Sequence, residues 1–270
     1  MTDQSPSPDS TQKAHVQEQF ARTAEGYVTS RSHRQGWDLD RLIELGDWGP
    51  APTLQALDIA TGGGHTALAV APHVAQVIAS DLTPRMLETA RAFLETQGIT
   101  NARFVEADAE QLPFEAESFD RVTCRIAPHH FPNVGQFVNE VARVLKSGGL
   151  FLLIDCISPG EKDLDAFDNT VEKWRDPSHG RSYTKEEWFA FLQQAGFIIE
   201  HGETFRKTHD YDDWTARSHL PATEKARLAT FMLQRAAPIQ EHFAIQRKAD
   251  GTLASFTTDF LLVKARKNAG

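Results

Sequence analysis

The chain has 270 residues, 40% of them hydrophobic, and carries 28 basic against 37 acidic side chains for a formal charge of -9. This length is ample for a hydrophobic core without requiring two domains. The acidic surface repels phosphate backbones, so nucleic-acid coating and anionic-membrane binding are not expected. The two cysteines, Cys124 and Cys156, lie in apolar runs with no CxxC or Cys/His cluster spaced for zinc, so no metal and a reduced, cytoplasmic compartment are expected. Apolar stretches such as Leu150 to Ile154 fall far short of the roughly 20 residues of a membrane helix, and no apolar leader opens the chain, so no membrane insertion is expected.

Residues 1–13 are mostly Ser, Pro, Asp, Gln and Thr with no apolar periodicity, and are expected to form a disordered tail ahead of a single domain over 14–270. Val16, Phe20, Ala24 and Tyr27, then Trp37, Leu39, Leu42, Ile43 and Leu45, fall at helical spacing, which predicts N-terminal helices over 14–48. The core, 54–156, alternates short apolar runs with helical patterns. Leu54–Ile59, Val74–Ser80, Ala102–Val105, Phe119–Ile126 and Leu150–Cys156 read as strands buried on both faces. Thr83 with Pro84 opens a helix that Gly98 closes; Asn133 opens another, whose apolar stripe runs from Val134 to Leu145 before Gly148 and Gly149. In the part over 157–270, helices near Asp163–Arg175 and Lys185–Ala195 precede strands near Phe197–Phe205 and Ser255–Lys264. The stretch near 207–250 between those strands predicts a helical cap over the crevice, packed by Trp188, Phe189, Trp214 and Phe231. Alternating βα units imply an α/β three-layer sandwich on a mostly parallel seven-stranded sheet, with a ligand crevice at the carboxyl ends of its strands.

Three consecutive strand ends carry the chemical signal. The first strand leaves through Leu57-Asp58-Ile59-Ala60-Thr61-Gly62-Gly63-Gly64, where glycines admit positive φ and a close ligand, and the following helix offers unpaired N–H groups. Gly62-x-Gly64-x-x-Ala67 also satisfies the loose dinucleotide pattern, so a nicotinamide site stays open at this point. Asp81 ends the second strand, placed either to accept from the ribose hydroxyls of an adenosine-containing ligand or simply to open a helix. Asp108, after the third, suits an adenine amino group or an Asx turn.

Together with Ser118-Phe119-Asp120 and Val144-Leu145-Lys146-Ser147-Gly148-Gly149, these motifs resemble class I S-adenosylmethionine-dependent methyltransferases, in particular the small-molecule branch that contains quinone-biosynthesis methyltransferases. The resemblance spans about Leu54 to Asp155 and implies a Rossmann-like sheet with S-adenosylmethionine as cofactor. It assigns Asp58, Ala60, Gly62 and Gly64 to the cofactor, with the methionine moiety over the last three, the ribose on Asp81, the adenine edge at Asp108 and Ala109, and Leu82 and Met86 flanking the ring. Arg125 would line the donor pocket and Tyr27 would cover the cofactor. Ala60 departs from the family, which usually has glycine there, and its methyl narrows the turn.

The resemblance places Ile126-Ala127-Pro128-His129-His130-Phe131-Pro132 beside the activated methyl, which makes His129 or His130 the candidate base for a small, partly apolar acceptor. Methyl transfer from a sulfonium is an in-line displacement that needs little beyond alignment and exclusion of water. A further run, Trp174-Arg175-Asp176-Pro177-Ser178-His179-Gly180-Arg181, makes Arg175 and His179 candidates for the substrate, since guanidiniums pair with carboxylates and phosphates; a charged surface turn is the simpler reading. Two rivals remain. A nicotinamide oxidoreductase lacks a Tyr-x-x-x-Lys pair, because Tyr27, Tyr183 and Tyr211 are followed four residues on by Arg31, Glu187 and Thr215. A non-catalytic S-adenosylmethionine binder, either sensor or assembly subunit, is motivated by Ala60 and the absence of an unmistakable catalytic residue.

Overall fold

The computed structural model describes residues 8–29, 36–50 and 52–269, with the side chains of Pro8 and residues 23–29 outside that description. Helices α1 (Pro8–Thr29) and α2 (Trp37–Leu45) precede the first strand. Five strands then run parallel: β1 (Gln55–Ile59), β2 (Gln76–Asp81), β3 (Ala102–Glu106), β4 (Phe119–Arg125) and β5 (Leu145–Ile157). Between them come α3 (His65–Val70), α4 (Pro84–Thr96) and α5 (Val134–Val144). The chain continues through α6 (Lys162–Arg175), α7 (Lys185–Gln194), β6 (Phe197–Asp210), α8 (Tyr211–Arg217), α9 (Ala222–Leu233), α10 (Ala237–His242), the two-residue β7 (Gln246–Arg247) and β8 (Leu253–Lys267).

The strand order is β3-β2-β1-β4-β5-β8-β6, with β8 antiparallel to both neighbours and β7 paired to β8 outside this path. The α/β expectation is met, with β7 as the strand beyond the expected seven. Leu57, Val122, Phe151 and Leu153 pack on one face against Phe137 and Val141 of α5 and Trp188 and Leu192 of α7. Ala56, Ala79, Leu152 and Ile154 pack on the other against Leu42, Val70 and Leu94. Each such large side chain contributes about 1.5–3 kcal/mol of burial, and the crossovers leave every parallel strand ending on the same side.

Several expectations are corrected. Residues 8–13, expected in a tail, belong to α1, where Lys13 forms ion pairs with Asp108 and Glu110. The stripe ending at Leu145 stops one residue early, because Leu145 is extended (ψ 139°) and pairs with Phe119. Strand β3 is a half-exposed sheet edge rather than buried on both faces. Thr83 precedes α4, but its hydroxyl makes no cap; Asn133 does cap α5, accepting from Gln136 N at 3.0 Å. Trp188 and Phe189 pack against the main core. The cap has its own, with Trp214, Leu228, Met232 and Phe243 against Phe167 and Val171 of α6, and Phe231 at its margin. That cap hangs from a ribbon formed by β6 and β8, whose pairing extends from Phe197↔Lys267 to Asp210↔Ser255.

Candidate active site

The turn after β1 is built on positive φ at Ala60 (53°), Gly62 (54°) and Gly64 (86°). Asp58 lies wholly beneath it, accepting from Thr61 Oγ1 (2.6 Å) and Thr123 Oγ1 (2.7 Å). Burial pushes its carboxyl up to about 6 against these donors. Asp58 therefore braces the turn and does not reach the cleft, contrary to the sequence expectation. Gly64 also differs. A Cβ there would stand 2.6 Å from Leu94 Cδ1, so this glycine lets α4 pack close, whereas Gly62 has open space around it.

A cleft of about 950 Å³ opens over the carboxyl ends of β1, β2, β3 and β4. Ala60, Gly62, Asp81, Leu82, Met86, Asp108, Ala109 and Arg125 all line it. Of the sequence candidates, Asp58 and Gly64 are outside its wall, and the Tyr27 side chain lies outside the described residues. The buried Asp81 accepts from Gly62 N (3.0 Å) and Thr83 N (2.9 Å), and burial raises its carboxyl to about 6. Asp108 is both Asx turn and cleft wall: its Oδ1 accepts from Glu110 N at 2.9 Å, while Lys13 stands 2.6 Å from Oδ2. Arg125 is buried with Asp38 at 2.8 Å, and the same carboxylate takes Lys207 at 3.0 Å. Burial would lift the Asp38 carboxyl, but the two cations outweigh it and hold it below the usual range.

Sequence reasoning placed only Tyr27 of α1 at the cofactor and missed Lys13, Val16 and Phe20, which line this cleft. Their spacing of three and four residues was the available signal.

A second cleft, of about 660 Å³, shares Phe20, Ile126 and His130 with the first and continues along His129, Arg175, Lys207, His209, Trp214 and Arg217. The cap thus walls this second cleft; no residue of 207–250 lines the first, contrary to a cap closing over the whole crevice. His129 Nδ1 lies 2.7 Å from Asp155 Oδ1. Burial opposes a charge on this ring, but Cys156 and Asp155 outweigh it and hold its pKa well above the ordinary value. His130 Nδ1 faces the Ser178 carbonyl at 3.0 Å, and burial together with His129 pushes its pKa down to about 3. His179 does not line either cleft. It hydrogen-bonds Asn169 Oδ1 at 3.2 Å and is held uncharged by burial and its cationic neighbours, which sets it apart from Arg175 in the second cleft.

Donor atoms of His129, Asp155 and Cys156 lie within 4.8 Å of one another, the metal-like trio among the described residues. Two ligands about 2.1 Å from one tetrahedral ion would stand about 3.4 Å apart, wider than the 2.7 Å between Nδ1 and Oδ1, which is a hydrogen bond.

Strand order, glycine turn and cleft together define the class I methyltransferase architecture, and comparison with known proteins agrees. Residues 57–153 match the model of a methyltransferase domain. The uncharacterized methyltransferase YcgJ of Bacillus subtilis (strain 168) is 36% identical over 248 residues, 92% of this chain and 97% of its own. Its crystal structure gives a TM-score of 0.82 over 86% of this chain and 99% of that one. A methyltransferase-class structure from Bacillus halodurans C-125 gives 0.83 at 43% identity, covering 86% of this chain and 100% of that one. The ubiquinone/menaquinone C-methyltransferase UbiE of Brucella canis is 32% identical over 59% of each chain, in keeping with the quinone-biosynthesis branch. The chain belongs to the class I S-adenosylmethionine-dependent methyltransferases.

Proposed function

We propose that the protein holds S-adenosylmethionine in the first cleft and methylates a small acceptor seated in the second, across the wall formed by Phe20, Ile126 and His130. The observation that carries this reading is that the two clefts share these residues, so ligands in them would meet at His130. The cofactor supplies an activated methyl group whose bond to sulfur breaks as the bond to the acceptor forms. Asp81 would take the ribose hydroxyls, Leu82 and Met86 would hold the adenine, and Ala60, Gly62 and Gly63 would receive the methionine portion.

The two loop histidines divide the remaining work. His129 is kept charged by its buried partner and serves to position the loop. The carbonyl of Ser178 requires the proton of an uncharged His130 on Nδ1, which leaves the lone pair on Nε2. His130 receives the proton of an acceptor that sheds one. Its low basicity makes that transfer concerted with formation of the new bond, because such a base cannot strip the acceptor beforehand.

The test is methyl transfer from labelled S-adenosylmethionine across a panel of small phenols, amines and activated carbon acids. His130→Gln should lower kcat at least tenfold with unchanged S-adenosylhomocysteine affinity. Equal loss of both would refute the assignment, and cofactor binding without turnover of any acceptor would favour a non-catalytic binder.

A further inference from the structure

We infer that Asp176 is a positioning residue for methyl transfer: acting through the Ser178 hydroxyl, it orients His130 and offsets the charge that this ring acquires on taking the acceptor's proton. This rests on His130 being the group that receives the proton.

The run from Trp174 to Arg181 folds onto the histidine loop. Gly180 N and Arg181 N donate to the His129 carbonyl at 2.8 and 3.0 Å. A Cβ at Gly180 would stand 3.0 Å from that carbonyl oxygen, so glycine lets the two turns approach. The Ser178 carbonyl accepts from His130 Nδ1 at 3.0 Å, and the Ser178 hydroxyl lies 3.2 Å from the same nitrogen. Behind them, Asp176 Oδ1 accepts from Ser178 Oγ at 2.6 Å and from Ser178 N at 2.9 Å. His130, Ser178 and Asp176 are all buried.

These contacts fix where each proton points. The Ser178 hydroxyl gives its hydrogen to the carboxylate, so toward His130 it offers lone pairs, as the carbonyl does. Both oxygens therefore hold the hydrogen of the uncharged ring on Nδ1 and leave the lone pair on Nε2. An Asx turn requires only the Ser178 N–H; the hydroxyl bond is the additional link between carboxylate and ring. Burial opposes ionisation of Asp176, but the facing His130, Arg175 and the two Ser178 donors outweigh it and hold the carboxyl below the usual range.

Burial, His129 and Arg175 oppose a positive charge on His130, whereas Asp176 favours one. His179, with its ring 6.4 Å from that of His130, is held uncharged. As the acceptor's bond to the methyl forms, the methyl–sulfur bond breaks with its electron pair left on sulfur, and the acceptor's proton moves to Nε2. Nδ1 keeps its own hydrogen, so no proton travels along the chain of hydrogen bonds. What Asp176 supplies is a fixed negative charge two hydrogen bonds from the ring, in a site that water does not screen.

The experiment is steady-state kinetics of the full chain with labelled S-adenosylmethionine and each phenol, amine or carbon acid that it methylates. Asp176→Asn keeps an acceptor oxygen and removes the charge; Ser178→Ala breaks the link and leaves the carbonyl in place. Each should lower kcat about tenfold or more, with acceptor KM and S-adenosylhomocysteine affinity unchanged. In a His130→Gln background neither should lower kcat further, a readout that a merely structural contribution would move. Ser178→Ala carries the test by itself should Asp176→Asn fold poorly. Unchanged kcat in both variants, or the same loss with and without His130, overturns the inference and leaves the methyltransferase reading standing. Indifference of kcat to His130→Gln overturns the base assignment together with the inference, and turnover of no acceptor by the wild-type chain overturns the whole reading.

Discussion

Asp81→Asn separates a ligand-holding role from a structural one, because the two predict opposite changes. In the folded chain the carboxyl sits at about 6 against an ordinary 3.8, a difference equivalent to about 3 kcal/mol. The sign follows from which state holds the proton more tightly. A raised folded value means that the stabilising contribution is present below the ordinary value and is lost as pH rises through about 6. At pH 7 the ionised carboxylate therefore costs about 3 kcal/mol, which its neutral amide would not. The amide in turn confronts one of two N–H donors, Gly62 N or Thr83 N, with its own NH2 group, at about 1–3 kcal/mol. The opposing terms nearly cancel, so urea unfolding at pH 7 should shift by no more than about 1–2 kcal/mol. Cofactor binding has no such compensation: losing a charge-assisted bond to the ribose should cost about 1.5–3 kcal/mol, or roughly 10- to 150-fold in Kd. The same group should make wild-type affinity for S-adenosylhomocysteine fall about tenfold between pH 7 and pH 5, while the variant stays flat. Calorimetric titration at both pH values provides the measurement. Unaltered Kd in the variant, or a large loss of stability accompanying any loss of binding, would refute the reasoning.

Gly64→Ala should destabilise the fold by about 2–4 kcal/mol, since the new Cβ would meet Leu94 at 2.6 Å and φ is 86°; chemical denaturation measures it. Ala60→Gly removes an L-residue from φ 53° and should raise stability by up to about 1 kcal/mol without weakening the cofactor, and a lowered melting temperature would contradict this. Asp155→Asn leaves His129 without its anionic partner and should cost about 3 kcal/mol at pH 6 by urea unfolding. Because the folded pKa of His129 is raised, the wild-type advantage over this variant is full below the ordinary value of 6.5 and fades as pH climbs through the raised one.

The core was legible because each of its signals is local. Glycines marked positive φ, apolar runs marked the strands, and acids at successive strand ends faced one crevice, so eight cofactor candidates line the first cleft together. What escaped depends on distant partners. Lys13 read as tail because its ion pairs are with Asp108 and Glu110, some hundred positions away. Asp58 and Gly64 are in the motif, yet whether a motif residue faces a ligand or braces the turn depends on Thr123 and Leu94, which come from other elements. His179 stands beside Arg175 in a suggestive run, but its ring is taken by Asn169 on α6. Lys207 and Arg217 gave no signal at all, since only the pairing of β6 with β8 and the fold of the cap bring them to Arg175.

Helix α1 ties itself to both clefts along one length. Lys13 holds Asp108 and Glu110, Gln17 donates to the Leu82 carbonyl at 2.9 Å, Phe20 meets the His130 ring edge-on at 5.0 Å, and Gln19 reaches Ser218 at 3.4 Å. One helix therefore joins the two clefts physically, and a substitution along it alters the surroundings of both.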